Sequence, residues 1–218
     1  MKFSCGWLAE YVDLQEKAPV KGKQEATAPA EELARQLTSV GLSVEGIEVV
    51  DGDTVLDVEI TSNRPDCMNH LGLAREIAVK RGTTLRPPAF SFTESLSVGR
   101  PRTSVKIEDG EGCPRFNLRI IRGVQVGPSP AWLVRRLEAI GSRSINNVVD
   151  ATNYCLWESG QPMHAYDLAR LPGGELVVRR ARAGEKLTTL DGKERALDPE
   201  VLVIADRARA IGLAGIMG

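Results

Sequence analysis

His164 is the first candidate for a general base in this sequence. The chain contains two histidines, His70 and His164, and histidine is the side chain that most often transfers protons near neutral pH. The segment around it reads GQPMHAYD at residues 160–167, and its glycine and proline favour a shaped loop over a helix. A lone histidine without a triad motif is weak evidence for catalysis, so a structural role for His164 stays open.

A second concentration of polar groups lies just upstream of this loop. Residues 144–154 read SINNVVDATNY, with asparagine, aspartate and threonine placed around two valines. Because buried polar groups need hydrogen-bond partners, this density predicts an internal hydrogen-bond network. Two roles are open for the network: positioning a site, or supporting a turn.

Small residues dominate the stretch GLAGIMG at residues 212–218. Such a run is typical of backbone that approaches a ligand closely, or of a tight crossing of strands. It does not match the G-x-G-x-x-G dinucleotide loop, and the sequence contains no G-x-x-x-x-G-K-[ST] motif. The chain therefore has no nucleotide-binding fingerprint.

Arginines supply two further candidates. Arg64, in SNRPD at residues 62–66, could hold a phosphate or form a local ion pair with Asp66 in a turn. A locally basic stretch is either solvated charge or a contact for an RNA backbone; it contains Arg115, Arg119, Arg122, Arg135, Arg136 and Arg143.

Composition restricts the class of protein. The 218 residues are 42% hydrophobic, which is enough for one large or two smaller cores, and the formal net charge is −1. This charge argues against a surface devoted to nucleic acid. Four cysteines without a C-x-x-C pair favour reduced thiols over zinc or disulfides. With no signal peptide and no membrane-spanning run, we expect a soluble, cytoplasmic protein.

Periodicity and breaker residues predict an α+β fold. A small helix and strand module is expected at 1–88, a linker at 89–104 and a larger, mixed, β-rich domain at 105–218. Helices are predicted at 7–12, 30–40, 71–81 and 131–140, with Ser4 as a cap of the first and Gly82 ending the third. Strands are predicted at 55–60, 116–126, 175–179, 185–190 and 201–205.

In this order, the motifs resemble the β subunit of bacterial phenylalanyl-tRNA synthetase over almost the entire chain. The resemblance is carried by WLAEYVDL at 7–14, GLSVEG at 41–46, EITSNRPDC at 59–67, LGLARE at 71–76, the stretch from Ser144 to Asp167, and TLDG at 189–192. In the family, the stretch containing GQPMHA belongs to an editing domain. An oligonucleotide-binding insertion usual in the family is missing here, since only residues 47–58 separate the second and third motifs.

The resemblance implies hydrolysis of Tyr-tRNA(Phe) by an editing site. It assigns His164, Thr152 and Asn153 to catalysis, and Arg143, Ala214, Gly215 and Gly218 to substrate binding, with no metal. A later acidic residue that reads the tyrosine hydroxyl in the family would lie beyond Gly218, so the editing domain is expected to be incomplete and the sequence truncated.

The resemblance also implies partners and cofactors. The whole enzyme would use ATP and Mg to charge tRNA(Phe), as a heterotetramer of two α and two β subunits, whereas this region would need no cofactor and would be inactive in charging. A non-catalytic RNA-binding or assembly module stays open as an alternative, as does a free-standing editing factor.

Overall fold

The computed structural model describes residues 1–14, 29–93 and 103–217. The chain forms two compact units. The first comprises Met1–Ser91 and Val126–Met163, and the second comprises Phe92–Gln125 and His164–Gly218. Helices and sheets both contribute, which confirms the α+β class.

The first unit begins with a three-stranded antiparallel sheet. Strands β1 (Lys2–Ser4), β2 (Val44–Val50) and β3 (Asp53–Val58) are arranged in the order β1-β3-β2. The β2–β3 hairpin turns at Asp51-Gly52, where φ is 48° and 81°. An Asp-Gly pair is the sequence that best tolerates two positive φ angles in a hairpin. The strand predicted at 55–60 corresponds to β3.

Five helices accompany this sheet among the described residues of the unit. Their bounds are α1 Cys5–Tyr11, α2 Pro29–Ser39, α3 His70–Arg81, α4 Ala131–Ala139 and α5 Asn147–Ser159. Ser4 caps α1 by accepting from the Trp7 amide at 2.9 Å, and Gly82 ends α3 at φ 61°. The four predicted helices are confirmed, whereas the sequence patterns do not predict α5.

One core holds the unit together. It is built from apolar side chains of β1, β3 and the helices, and its buried members include Phe3, Trp7, Leu37, Leu56 and Ile77. Tyr154 and Trp157 of α5 pack against the same core. This packing is why residues 126–163 belong to the first unit, although the expected boundaries place them in a second domain at 105–218.

The second unit is built on a four-stranded sheet in the order β4-β5-β8-β9. Its strands are β4 Ser104–Ile107, β5 Glu175–Arg180, β8 Leu202–Ala205 and β9 Ala210–Leu213, with β4 parallel to β5 and the other pairs antiparallel. A separate hairpin pairs β6 (Lys186–Thr188) with β7 (Glu194–Ala196). The strands predicted after residue 170 are confirmed. Most of the expected linker at 89–104 lies outside the described residues, and Ser104 already belongs to β4.

The strand predicted at 116–126 is wrong. These residues form no strand, and Ile121 and Val126 are 72% and 70% exposed. Their β-branched and aromatic composition is a preference for a half-buried sheet surface rather than a property of the isolated backbone. No neighbouring strand within the described ranges supplies that surface.

Candidate functional site

The polar stretch at 144–154 forms the predicted hydrogen-bond network around Asp150. Its fully buried carboxylate accepts from Ser129 Oγ, from Ser144 Oγ at 2.6 Å and from the Ile145 amide at 2.8 Å. These hydrogen bonds hold the pKa of Asp150 below its usual range, although burial opposes the shift. The network thus holds an ionised carboxylate in the first turns of α5, where negative charge interacts favourably with the helix dipole.

Asn146 completes the start of this helix. Its side-chain oxygen accepts from the amides of Val148 and Val149, at 3.1 and 3.0 Å, which is the standard arrangement of an N-cap. Asn147 donates its amide to the Gly127 carbonyl at 2.9 Å. The segment before α5 is therefore fixed at several backbone positions.

Thr152 and Asn153 lie next to each other on α5 and are half-buried. Thr152 Oγ donates to the Val149 carbonyl at 2.7 Å, so both lone pairs of this hydroxyl stay available as acceptors. The side-chain carboxamide of Asn153 makes no hydrogen bond to any residue the structure describes. Both side chains thus retain hydrogen-bonding capacity for a ligand.

Arg143 lies in the loop between α4 and α5, directly before the Ser144 that binds Asp150. Its side chain is exposed and forms no ion pair within the described parts of the chain. An arginine of this kind, on a loop anchored by its neighbour, is suited to bind a phosphate or a ribose.

His164 lies in the second unit, on an exposed loop without regular secondary structure. Its ring meets Tyr166 edge-on, with 4.6 Å between centroids, and forms no hydrogen bond to the described residues. Partial desolvation lowers the pKa of His164, which keeps the imidazole neutral at pH 7. A neutral, unbonded imidazole has a free nitrogen lone pair, as a general base requires.

Ala214 and Gly215 follow strand β9 in the same unit. Ala214 donates its amide to Leu202 at 3.0 Å, and Leu213 and Met217 bond to each other across the turn that contains Gly215. Gly215 has φ 72°, and a Cβ added there would meet no atom within 4 Å. The backbone conformation alone therefore explains this glycine. Gly218 lies outside the described residues.

Within each unit, the candidate residues are grouped. Thr152, Asn153 and Arg143 belong to α5 and the loop before it. In the second unit, Tyr166 contacts His164, and Tyr166 and Ala214 pack against one cluster of buried side chains, Leu176, Val178 and Ile204. Tyr166 is a neighbour of the candidate His164 that sequence reasoning does not select, although its place two residues after a loop histidine is a usable signal.

Of the two alternatives for Arg64, a phosphate site or a local ion pair with Asp66, the structure shows the ion pair. Its guanidinium binds Asp66 at 3.0 Å and Glu76 at 2.8 Å, and the resulting hydrogen bonds lower the pKa of Asp66 to about 2. Asp66, Cys67 and Glu76 offer ligand atoms within 4.8 Å of one another, as a metal would require. Asp66 and Glu76 already neutralise the positive charge of Arg64. Burial raises the pKa of Cys67 to about 11, which disfavours the thiolate a metal would bind.

Cys155 and two arginines of the basic stretch have structural contacts within their own units. Burial raises the pKa of Cys155, so its thiol is a poor nucleophile. Arg136 pairs with Glu10 and donates to Tyr154 Oη at 2.9 Å. Arg119 lies over the Phe92 ring at 5.0 Å.

Comparison with known proteins decides the family. The model of the B3/4 domain family matches residues 112–218. The chain is 53% identical over 166 residues, or 76% of its length, to a phenylalanine–tRNA ligase β subunit of Anaeromyxobacter dehalogenans. It is 43% identical over 218 residues, its whole length, to that of Rhodopirellula baltica. The chain belongs to the phenylalanine–tRNA ligase β-subunit family.

Both relatives are much longer than this chain, which spans 21% of the first and 30% of the second. An N-terminal fragment of the phenylalanyl-tRNA synthetase β subunit from Pyrococcus horikoshii matches with a TM-score of 0.46 and 13% identity, over 100% of this chain and 62% of that chain. The B3/4 match includes all candidate residues from Arg143 to Gly218 and leaves out Arg64 and His70. Among the described residues of this β-subunit family member, no helix combines the length and apolar character needed to span a membrane.

Proposed function

We propose that this chain is the part of a phenylalanine–tRNA ligase β subunit that hydrolyses Tyr-tRNA(Phe). The observation that carries the proposal is the imidazole of His164. It lies inside the region that matches the B3/4 family, and it is exposed, neutral and free of hydrogen bonds to the described residues. A histidine kept only for structure would be expected to use its ring nitrogens, as His70 does with Ser4 and Trp157.

An editing activity is needed because binding alone discriminates poorly between phenylalanine and tyrosine. A pocket shaped for phenylalanine rejects a ligand that merely adds a hydroxyl by only about 10²-fold. A second site that hydrolyses the mischarged ester supplies the remaining discrimination. The synthetic and editing reactions are therefore separable, and a variant can lose one and keep the other.

In the proposed reaction, His164 accepts a proton from water or orients it. Oxygen of that water forms a bond to the ester carbonyl carbon, and the bond from this carbon to the terminal ribose oxygen breaks. The ribose oxygen takes up the proton, which yields tyrosine and free tRNA. Aminoacyl esters are already activated, so positioning supplies much of the rate and no covalent nucleophile is needed. The unreactive thiol of Cys155 agrees with this.

The other residues bind and orient the substrate. The Thr152 hydroxyl accepts a hydrogen bond from the water or the ribose, and the side-chain carboxamide of Asn153 forms a second hydrogen bond to either of them. Arg143 binds the terminal adenosine or its phosphate. Ala214, Gly215 and Gly218 are assigned to substrate binding, on the side of the amino-acid ring. No metal ion takes part in this proposal.

The whole enzyme extends the proposal beyond this chain. It would charge tRNA(Phe) with ATP and Mg, as a cytoplasmic heterotetramer of two β subunits and two α subunits. We expect this chain alone to be inactive in charging.

The test is deacylation of Tyr-tRNA(Phe) by a ligase whose β subunit contains this sequence. His164→Ala should lower the rate by about 10²–10⁴, the usual range for a positioned proton-transfer group, and nearer the low end if His164 only orients water. Charging with phenylalanine should be nearly unchanged. Met163→Ala, in the same exposed loop, is the matched control and should keep both activities. Unchanged deacylation by His164→Ala would overturn the proposal.

A non-catalytic RNA-binding or assembly module is the second candidate. It is favoured by Arg122 and Arg143, which are exposed and form no ion pair within the described residues. This alternative predicts salt-dependent tRNA binding that His164→Ala leaves intact, with no deacylation by the parent protein. The two activities are measured on the same preparations, so one series of assays decides between the candidates.

A further inference from the structure

Helix α5 is held against helices α1 and α3 along one face. Tyr154, Trp157 and Glu158 follow the i, i+3, i+4 spacing that places residues on one side of a helix, and each contacts α1 or α3. Thr152 lies about 160° around the helix from Tyr154, at about 100° per residue. The face that packs and the face that carries Thr152 are therefore different faces of one rigid element.

Stacked rings form the first part of this contact. The His70 ring lies on the Trp7 ring with centroids 4.0 Å apart and planes at 24°, and the Tyr154 ring lies 4.5 Å from Trp7 with planes at 18°. Trp132 of α4 meets Tyr154 edge-on at 5.6 Å. Planar rings packed in series restrict sliding of α5 along its neighbours, since any shift opens gaps in a close-packed core.

Directional hydrogen bonds form the second part. The carbonyl of Trp157 accepts from Nδ1 of His70 at 2.9 Å, and Tyr11 donates its hydroxyl to Glu158 while accepting from Trp7 Nε1 at 2.8 Å. Arg136 donates to the Tyr154 hydroxyl at 2.9 Å. These bonds have preferred angles as well as lengths, so they restrict rotation of the helix about its axis in a way that apolar packing alone does not.

We propose that Trp7, His70 and Tyr154 are positioning residues for deacylation. They restrict both the rotation of α5 about its axis and its sliding along the neighbouring helices, and they thereby fix the positions of Thr152 and Asn153. This inference rests on the proposed function. Its physical basis is the steep dependence of rate on geometry, in which a displacement of about 1 Å costs about 10²-fold. Thr152 and Asn153 would thus be oriented in part by Trp7 and His70, which lie outside the B3/4 match, whereas Tyr154 lies inside it.

Tyr154 offers the sharpest test, in a ligase whose β subunit contains this sequence. Tyr154→Ala removes the stacked ring and should lower kcat for Tyr-tRNA(Phe) deacylation by about 10–100-fold, with KM for the tRNA and phenylalanine charging nearly unchanged. Tyr154→Phe keeps the ring and loses only the hydroxyl, so it should restore most of kcat. Tyr11→Phe, which cuts the link to Glu158 without removing a ring, should give a smaller loss and serves if Tyr154→Ala fails to fold.

Leu37→Ala is the control for stability. Leu37 is 1% exposed in the same core but lies on α2, which packs mainly on β2 and α3. It should lower Tm at least as much as Tyr154→Ala while keeping deacylation at temperatures below the transition. If Leu37→Ala loses deacylation equally, or Tyr154→Phe fails to restore it, the role is structural only and the inference is overturned.

The proposed function is tested separately on the same substrate. If His164→Ala and Thr152→Ala lose deacylation while Tyr154→Ala keeps it, the positioning role fails and the function stands. If His164→Ala keeps full deacylation, the proposed function fails, whatever Tyr154→Ala does.

Discussion

Nδ1 of His70 donates to the carbonyl oxygen of Trp157 across 2.9 Å and joins two segments 87 residues apart. Nε2 of the same ring accepts from the Ser4 amide at 3.3 Å. Both ring nitrogens are satisfied only when the imidazole is neutral with its proton on Nδ1. The buried ring thus has one protonation state compatible with the packing around it.

Acid should therefore destabilise the first unit through His70. Burial lowers the pKa of His70 from 6.5 to about 4; the hydrogen bond to Trp157 and the charge of Asp53 raise it, and Arg136 lowers it further. As the pH falls, the unfolded state takes up the proton at a higher pH than the folded state does. The contribution of His70 to the free energy of unfolding is therefore complete above pH 6.5, and it falls by about 3 kcal/mol as the pH drops towards 4.

The measurement is the free energy of unfolding in urea between pH 7 and pH 4. His70→Gln should flatten the pH dependence in this window, even if it is less stable at pH 7. His164→Gln, which changes the exposed histidine, should leave most of the slope in place. Equal slopes for the parent and His70→Gln would show that other groups cause the acid sensitivity.

Gly72 is required by the approach of two backbones at the start of α3. A Cβ placed there would lie 1.8 Å from the carbonyl oxygen of Asp66, which no rotation of a side chain can relieve. We expect Gly72→Ala to cost about 3 kcal/mol or more in the free energy of unfolding, at the upper end for overpacked sites. Gly46→Ala is the control, because its nearest contact would be Asp57 Cβ at 3.9 Å, and it should be nearly neutral.

Local signals predicted most of the helices, because their caps are encoded next to them. Ser4 before α1 and Gly82 after α3 occupy the positions expected from the sequence. Helix α5 is different: its sequence, NVVDATNYCLWES, is rich in β-branched and asparagine residues of low helix propensity. The buried Asp150 and the stack of Tyr154 on Trp7 stabilise it. The polar density around Asp150 is visible in the sequence, whereas the ring stack joins distant segments and leaves no local pattern.

The sequence predicted which types of residue form the candidate site, but not the contacts that depend on the fold. The loop around His164 and the network in 144–154 follow from glycine, proline and polar density. The ion pair of Arg64 with Glu76 depends on the packing of the 65–67 turn against α3, so it required the fold. The error at 116–126 has the same origin, since a β-prone sequence becomes a strand only beside a partner.

Neutralising Glu185 should destabilise the second unit more than neutralising an exposed acidic residue such as Glu194. Its carboxylate accepts from Arg179 at 2.7 and 2.8 Å and from the amides of Arg182 and Ala210, each at 2.9 Å. These bonds lower the pKa of Glu185 to about 2. Glu185→Gln leaves the buried guanidinium of Arg179 without its countercharge, and we expect a loss of about 3–5 kcal/mol.

Glu194→Gln provides the comparison for Glu185. Glu194 pairs with Lys186 at 2.7 Å, but both side chains are more than half exposed, so the loss should stay below about 1 kcal/mol. The contribution of Glu185 also has a defined pH window. It is complete above pH 4.5 and declines as the pH falls towards 2. Thermal unfolding of the second unit at pH 6 and pH 3 measures both effects.

Asp150 should control the order of the segment that carries Arg143. Its carboxylate accepts from Ser129, Ser144 and Ile145, and an asparagine amide nitrogen cannot accept any of these bonds. We expect Asp150→Asn to cost about 1–3 kcal/mol, since at least one buried donor loses its acceptor. The Ile145 amide should also exchange its hydrogen with solvent faster than in the parent.

Glu31→Gln is the matched control, because it removes an exposed acid from the first turn of α2. It loses only the interaction with the helix dipole, about 0.3–1 kcal/mol, and should leave exchange at Ile145 unchanged. Hydrogen exchange followed by NMR distinguishes the two variants at single residues. If Asp150→Asn keeps the protection of the Ile145 amide, the carboxylate does not hold this segment, and another contact must fix the start of α5.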